Sequence, residues 1–367
     1  MQRDFYLDLA RQGKRLPIAT HLVLHEKADP EAILLDGKRM AHVMAETAHR
    51  FGSPLALPVM DLTLEKDFML HAMGIAAGEA ASYHFDAAPT ARQKQSLFGA
   101  DVLGHPRIKA NCDSLRELAK DETLVPVGMS IGPFSLLTKL LRDPIVPIFL
   151  AGAGTASEDS EEVALLHVLL PLCEYVIAAS CRAQILSGAR AIFVCEPAAN
   201  LVFFSPNQLA EGASVFDDFV IEPNMRLKRL FTANDTDLIF HDCGSLTTGM
   251  VAAFGALDPA MISFGSPVKL WEVEPFVPMS TVIYGNLPTK KFYSDEDVPI
   301  EALPGMVDEI ETRLRESGHP FIVGSECDVL SMPGYETTIM AKLEAVCSCE
   351  SPGSTVGARV AASRATV

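Results

Sequence analysis

Three side chains able to hold a soft metal ion reach the chain's surface chemistry from two separate segments. In DLIFHDCG the apolar run 238–240 ends in His241 and Cys243, and in PFIVGSEC the run 321–323 leads to Cys327. One imidazole and two thiols are the ligand set that zinc prefers, and three protein ligands leave a fourth position for substrate. In an H-x-C pair along an extended segment the two side chains point the same way, so both can reach one ion. Cys327 follows Cys243 by 84 residues (327 − 243) and must come from elsewhere around the same site. Zinc bound to two thiolates is a weak Lewis acid, poorly suited to making hydroxide. It suits a substrate thiol, which loses its proton on binding, or an ether oxygen, which becomes a better leaving group. Both describe alkyl transfer. Any one of the three residues alone reads as a buried cysteine or a hydrogen-bonded histidine; their joint arrival just after apolar runs carries the metal reading.

The elements that must position them recur along the whole chain. Short runs rich in Val, Ile, Leu and Phe lie at 17–23, 55–59, 124–129, 191–195, 237–240, 261–264, 281–284 and 320–323. Runs of this kind suit parallel strands buried on both faces. Between them lie stretches of helical length. Residues 36–51 place Met40, Val43, Met44, Ala48 and Phe51 at helical spacing, 160–188 is long and apolar, and 303–317 sets Met306, Ile310 and Leu314 four apart. Alternating strand and helix means a parallel sheet. About eight units favour a single closed (β/α)₈ TIM barrel, with chemistry at the strand C-termini. The competing doubly wound sheet lacks support, because no GxGxxG or GxxxxGK[ST] follows a strand. The barrel is assigned to residues 1–350, and 351–367, poor in periodicity, reads as a C-terminal tail.

Composition narrows the function classes. With 49% hydrophobic and 21% charged residues the chain suits a globular fold. A net charge of −17 argues against nucleic acid as a partner, which needs a surplus of Lys and Arg. The apolar stretches 146–153 and 163–177 are broken by Gly, Pro, Glu or His, so no membrane span is expected. The segment MQRDFYLDLARQGKRLP lacks the apolar core of an export signal, and a cytoplasmic location is expected. Eight cysteines do not form a disulfide framework here. Cys112, Cys173, Cys181 and Cys195 read as small buried hydrophobes, and the pair Cys347 and Cys349 lacks further ligands nearby. His21 and His25, four apart after the first run, invite a second-metal reading that nothing else completes.

Several segments resemble the uroporphyrinogen decarboxylase superfamily. LVPVGMSIGPFSLLTKLL (124–141) is similar to its Pro-x-x-Gly…Gly-Pro-Phe-Thr-Leu segment, and VMDLTLEKDFMLHAMG (59–74) to its Asp-bearing second-strand segment. CEPAANLVFFSP (195–206) resembles the fourth-strand segment, and YGNLPTKKF (284–292) the Gly-Asn-x-Pro turn. The likeness runs from about residue 15 to 345. The decarboxylases themselves have no H-x-C…C set and carry an Arg-rich N-terminal motif, whereas this chain reads RLPIATHLVLHEKADP there. His241, Cys243 and Cys327 match the zinc motif of the corrinoid-dependent methyltransferase branch. That resemblance implies Zn²⁺, a corrinoid (methylcobalamin) supplied by a partner protein, and a small-molecule methyl acceptor such as coenzyme M or a methyl-ether donor. It is also compatible with a homodimer. A metal-free decarboxylase is the alternative.

One departure stands out. The family often places an acidic residue about 20 positions after the H-x-C, where this chain has Phe264, Gly265 and Ser266. Glu196, after the fourth strand, and Glu326, beside Cys327, are then the candidates for a fourth ligand or a substrate contact. Asp61, Tyr284 and Asn286 end strands and are expected to line the substrate pocket. A capping role for Asp61 and a turn role for Asn286 compete with that, while Met129 and Phe134 read as packing.

Overall fold

The computed structural model describes residues 3–348, so the expected tail and Cys349 lie outside the described residues. Seven strands form one parallel sheet in sequential order. They are β1 (Leu55–Ala56), β2 (Val125–Ile131), β3 (Ala191–Cys195), β4 (Asp237–Asp242), β5 (Met261–Phe264), β6 (Val282–Leu287) and β7 (Phe321–Ser325). The sheet curls on itself, because inward-facing residues from every strand meet in one cluster: Leu55, Val127, Phe193, Ile239, Met261, Val282 and Ile322. Alternate residues such as Ile192, Val194, Phe240 and Ile262 face outward into the layer shared with the helices.

The barrel's remaining side is not the strand expected over 17–23. Leu16 alone makes a parallel bridge, to Gly324 of β7, and Thr20–Leu24 is helical. Pro17 has no N–H to offer a ladder on the side away from β7. The next residue turns to side chains instead: Ile18 N donates to Ser325 Oγ at 3.0 Å. Thr20 Oγ1 donates to Leu57 O at 2.7 Å, tying this segment to the end of β1. Leu16 and Ile18 still join the inward cluster, so the barrel closes through packing more than through backbone ladders.

The helices follow the sequence closely. Gly37–Arg50 is capped by Asp36, whose carboxylate accepts from Lys38 N and Arg39 N, and Leu303–Ser317 ends at Gly318 with φ of 75°. Glu161–Leu186 is long and apolar enough to cross a membrane by length and composition. Here it packs on β2 and on the helix Pro133–Lys139, and Gln184 bonds both the N–H and the carbonyl of Met129 at 2.8 and 2.9 Å. Its apolar surface is therefore the outer lining of the sheet.

Candidate metal centre

Strand register explains how the site assembles. Cys195 pairs with His241, His241 with Ser263, and Ser263 with Tyr284, all at one level and with inward parity. Neighbouring inward side chains at one level touch, and Ser263 Oγ lies 3.0 Å from His241 Nδ1. With Ser263 accepting, the proton sits on Nδ1 and Nε2 presents its lone pair. His241 is 1% exposed, its ring 5.7 Å from that of Phe193. Its Nε2 is buried and makes no hydrogen bond of good geometry, although it lies near enough to Cys243 to help hold that thiol down. A buried nitrogen without a partner is costly, and its direction is set by the barrel.

What Nε2 faces is the pair of half-buried thiols. The ligand atoms of His241, Cys243 and Cys327 all lie within 4.8 Å of one another. Modest side-chain rotations close that spread to the roughly 3.5–4 Å edges of a tetrahedral zinc site. Among the described residues it is the one His, Cys, Asp or Glu group that could hold a metal. Cys243 stands one residue past β4, against Gly265, where a Cβ would come within 2.5 Å of Cys243 O. The Cys327 thiol holds the Cys243 thiol well below its usual range, with His241 and Lys290 adding to the effect against burial. The Cys327 thiol is pushed far up by the same shared hydrogen bond. The shared hydrogen bond thus favours one thiolate in the pair. The donor set, the orphaned nitrogen and the favoured thiolate all fit zinc.

Residues of β5 and of the surrounding loops support the trio, and sequence reasoning missed three of them. Ser263 was legible in principle, since inward parity on β5 places a hydroxyl beside β4. Lys290 lies in the Gly-Asn-x-Pro turn, where a charged residue reads as solvated surface. Burial works against its ammonium charge, but the nearby Cys243, Cys327 and Glu326 outweigh that and raise its pKa. Met60 touches Cys327, Sδ to Sγ 3.6 Å, a contact between loops with no sequence signal.

The other expected site residues divide differently. Glu196 lies elsewhere: its position continues the outward parity of Ile192 and Val194, away from the thiols. Its carboxylate accepts from Phe134 N (3.2 Å), Ser135 N (2.8 Å) and Asn224 Nδ2 (2.9 Å), capping the helix Pro133–Lys139. Burial raises its pKa, and these donors partly oppose the rise. Glu326 stays beside Cys327 but spends both oxygens on loops. Oε2 takes Ser266 N (3.2 Å) and Oγ (2.6 Å), and Oε1 takes Lys290 N (3.2 Å). It positions the loops after β5 and β6 rather than joining the trio.

Tyr284 fills the barrel interior. It is 3% exposed, and its hydroxyl donates to Leu16 O at 2.5 Å. The ring crosses over Gly324, where a Cβ would meet Cζ at 2.3 Å. Asn286 holds the loop after β5 through Nδ2 to Gly265 O (2.8 Å) and Val268 O (2.6 Å), the turn-stabilising role. Asp61 Oδ1 accepts from Thr63 N (3.1 Å) and Oγ1 (2.6 Å), and its other oxygen pairs with Arg107 at 3.0 Å. It stands on the loop after β1 but outside the His–Cys–Cys trio. Met129 and Phe134 are packed in the interior, as expected. His21 and His25 stack at 4.4 Å, but His21 Nδ1 accepts from Ser331 N, and no third ligand joins them among the described residues. Cys347 lies apart, its thiol on Arg15 O.

A cavity of about 520 Å³ opens at the opposite end, lined by Lys14, Arg315, Pro320 and Phe321 where β7 begins. In parallel barrels chemistry sits at the strand C-termini, and the trio that could hold a metal is there.

The model of the family described as "Uroporphyrinogen decarboxylase (URO-D)" matches residues 11–343. The chain belongs to the uroporphyrinogen decarboxylase family. Among solved structures it is similar to a methyltransferase from Methanosarcina mazei, with a TM-score of 0.63 and 15% identity over 90% of this chain and 94% of that one. At that identity the likeness speaks for the fold. No curated protein sequence matches the chain. The family's barrel thus accounts for the parallel sheet.

Proposed function

We propose that this member of the uroporphyrinogen decarboxylase family is a zinc-dependent methyltransferase that moves a methyl group between a corrinoid carried by a separate protein and the sulfur or oxygen of a small molecule. The observation that carries the reading is the orphaned, buried Nε2 of His241 facing two half-exposed thiols at the barrel mouth. The structural likeness to a protein named a methyltransferase supports it.

His241, Cys243 and Cys327 would hold the metal, which when bound would supply a Lewis acid that grips the substrate's sulfur or oxygen. Ser263 keeps the imidazole in the ligating tautomer and fixes its plane. Glu326 binds the loops after β5 and β6 to Cys327, so the three ligands keep their spacing when substrate enters. Lys290 sets a positive charge beside Cys243, offsetting the negative charge that a thiolate or alkoxide adds to the site. The half-exposure of both thiols keeps the mouth open to a cofactor borne by another protein. In this reading the partner is a corrinoid protein of the cytoplasm.

Elemental analysis of protein purified without added metal tests the proposal, alongside Cys243→Ala and Cys327→Ala. About one zinc per chain, lost in both variants, is the expected result, followed by methyl transfer from methylcobalamin in a screen of thiols and methyl ethers. Well-folded protein without zinc would overturn it in favour of a metal-free decarboxylase.

A further inference from the structure

Neither carboxylate expected from the sequence as a fourth ligand is available, since Glu196 faces outward and Glu326 is engaged on both oxygens. A different donor is in place. Met60 Sδ lies 3.6 Å from Cys327 Sγ. Two sulfurs bound tetrahedrally at about 2.3 Å from zinc stand about 3.8 Å apart, so the spacing is that of one edge of such a site. The placement is held from the backbone. Met60 N donates to Asp328 Oδ2 at 3.1 Å, tying the loop after β1 to the residue next to Cys327. The side chain packs on the inward cluster that contains Met129 and Cys195, yet it is only half-buried. Core methionines such as Met44 and Met69 are fully enclosed by apolar neighbours; Met60 instead presents its thioether to a thiol at the barrel mouth.

We propose that the Met60 thioether is the fourth protein ligand of the resting metal centre, and the one that an incoming substrate atom replaces. This rests on the metal reading above. A thioether is neutral, so it leaves the charge of a site with two thiolates and a divalent ion unchanged at zero. It is also a weaker donor than the thiolates and imidazole, which makes it the ligand that leaves. Until it leaves, it closes the fourth position to water, and it shifts the set toward softer metals.

Zinc K-edge X-ray absorption on the zinc-loaded full chain, with and without Met60→Leu, tests the assignment without reference to activity. The expected result is three sulfurs and one nitrogen around zinc in the wild type. Met60→Leu, which keeps the side chain's bulk, should lose one sulfur and gain a nitrogen or oxygen at about one zinc per chain. A wild-type zinc with two sulfurs overturns the assignment on its own, whether or not the variant folds, and leaves the metal centre standing. Three sulfurs in both proteins also overturns it, since another sulfur is then the ligand. A wild type that binds no zinc overturns the metal reading and this inference together.

Discussion

Ser263→Ala isolates the part of the metal site that only the barrel creates. Ser263 is fully buried, and its hydroxyl sits 3.0 Å from His241 Nδ1. Its removal leaves Nδ1–H buried without a partner and frees the ring to adopt the other tautomer, in which Nε2 carries the proton and cannot bind a cation. Loss of an outer partner of this kind costs roughly 10–100-fold in metal affinity, or about 1.4–2.7 kcal/mol. The unpaired N–H costs the metal-free fold about 1–3 kcal/mol as well. Competition against a chromogenic chelator reads the first quantity, and urea unfolding in EDTA reads the second. A folded variant that binds zinc within twofold of wild type would refute the tautomer argument and the role given to β4–β5 register.

Two further outcomes follow from buried polar groups. Glu65 is enclosed between the sheet and the helix Glu161–Leu186, accepting from Ser130 and Ser180, and burial raises its pKa from 4.5 to about 7. A carboxyl raised on folding binds its proton more tightly in the folded state, so it favours the fold below pH 4.5, and that contribution is lost as pH rises through 7. Stability should fall by about 3 kcal/mol from pH 4.5 to 8, and Glu65→Gln should flatten this fall in urea titrations; equal slopes in both proteins would contradict it. Tyr284→Phe strands Leu16 O and should cost about 1–3 kcal/mol in unfolding free energy while leaving zinc content at wild-type level. Lost zinc in a folded Tyr284→Phe protein would return that residue to the site.

Much of the fold and half of the site were legible in the sequence. The runs at 191–195 and 261–264 are β3 and β5 to the residue, and 303–317 is a helix with the same limits. These signals are local: buried parallel strands must be short and apolar on both faces, and amphipathic helices must repeat every 3.6 residues. The H-x-C pair and the late cysteine were equally visible, because strand parity and strand ends together say which side chains reach the mouth. The first strand failed for a local reason too, as Pro17 has no N–H to offer a ladder on the side away from β7.

What only the tertiary structure decided is which neighbours compete for each group. Glu196 and Glu326 look alike as carboxylates at strand ends, but one lies on the outward parity and meets the N–H groups of a helix, while the other meets two loops. Tyr284 lies at pocket level yet is taken by Leu16, 268 residues away along the chain. Ser263, Lys290 and Met60 enter the site through register and loop packing, which carry no periodic trace. Sequence determined the elements and the three candidate ligands His241, Cys243 and Cys327, because those depend on residue type and spacing along the chain; hydrogen-bond partners depend on distances across it, and those exist only once the barrel has closed.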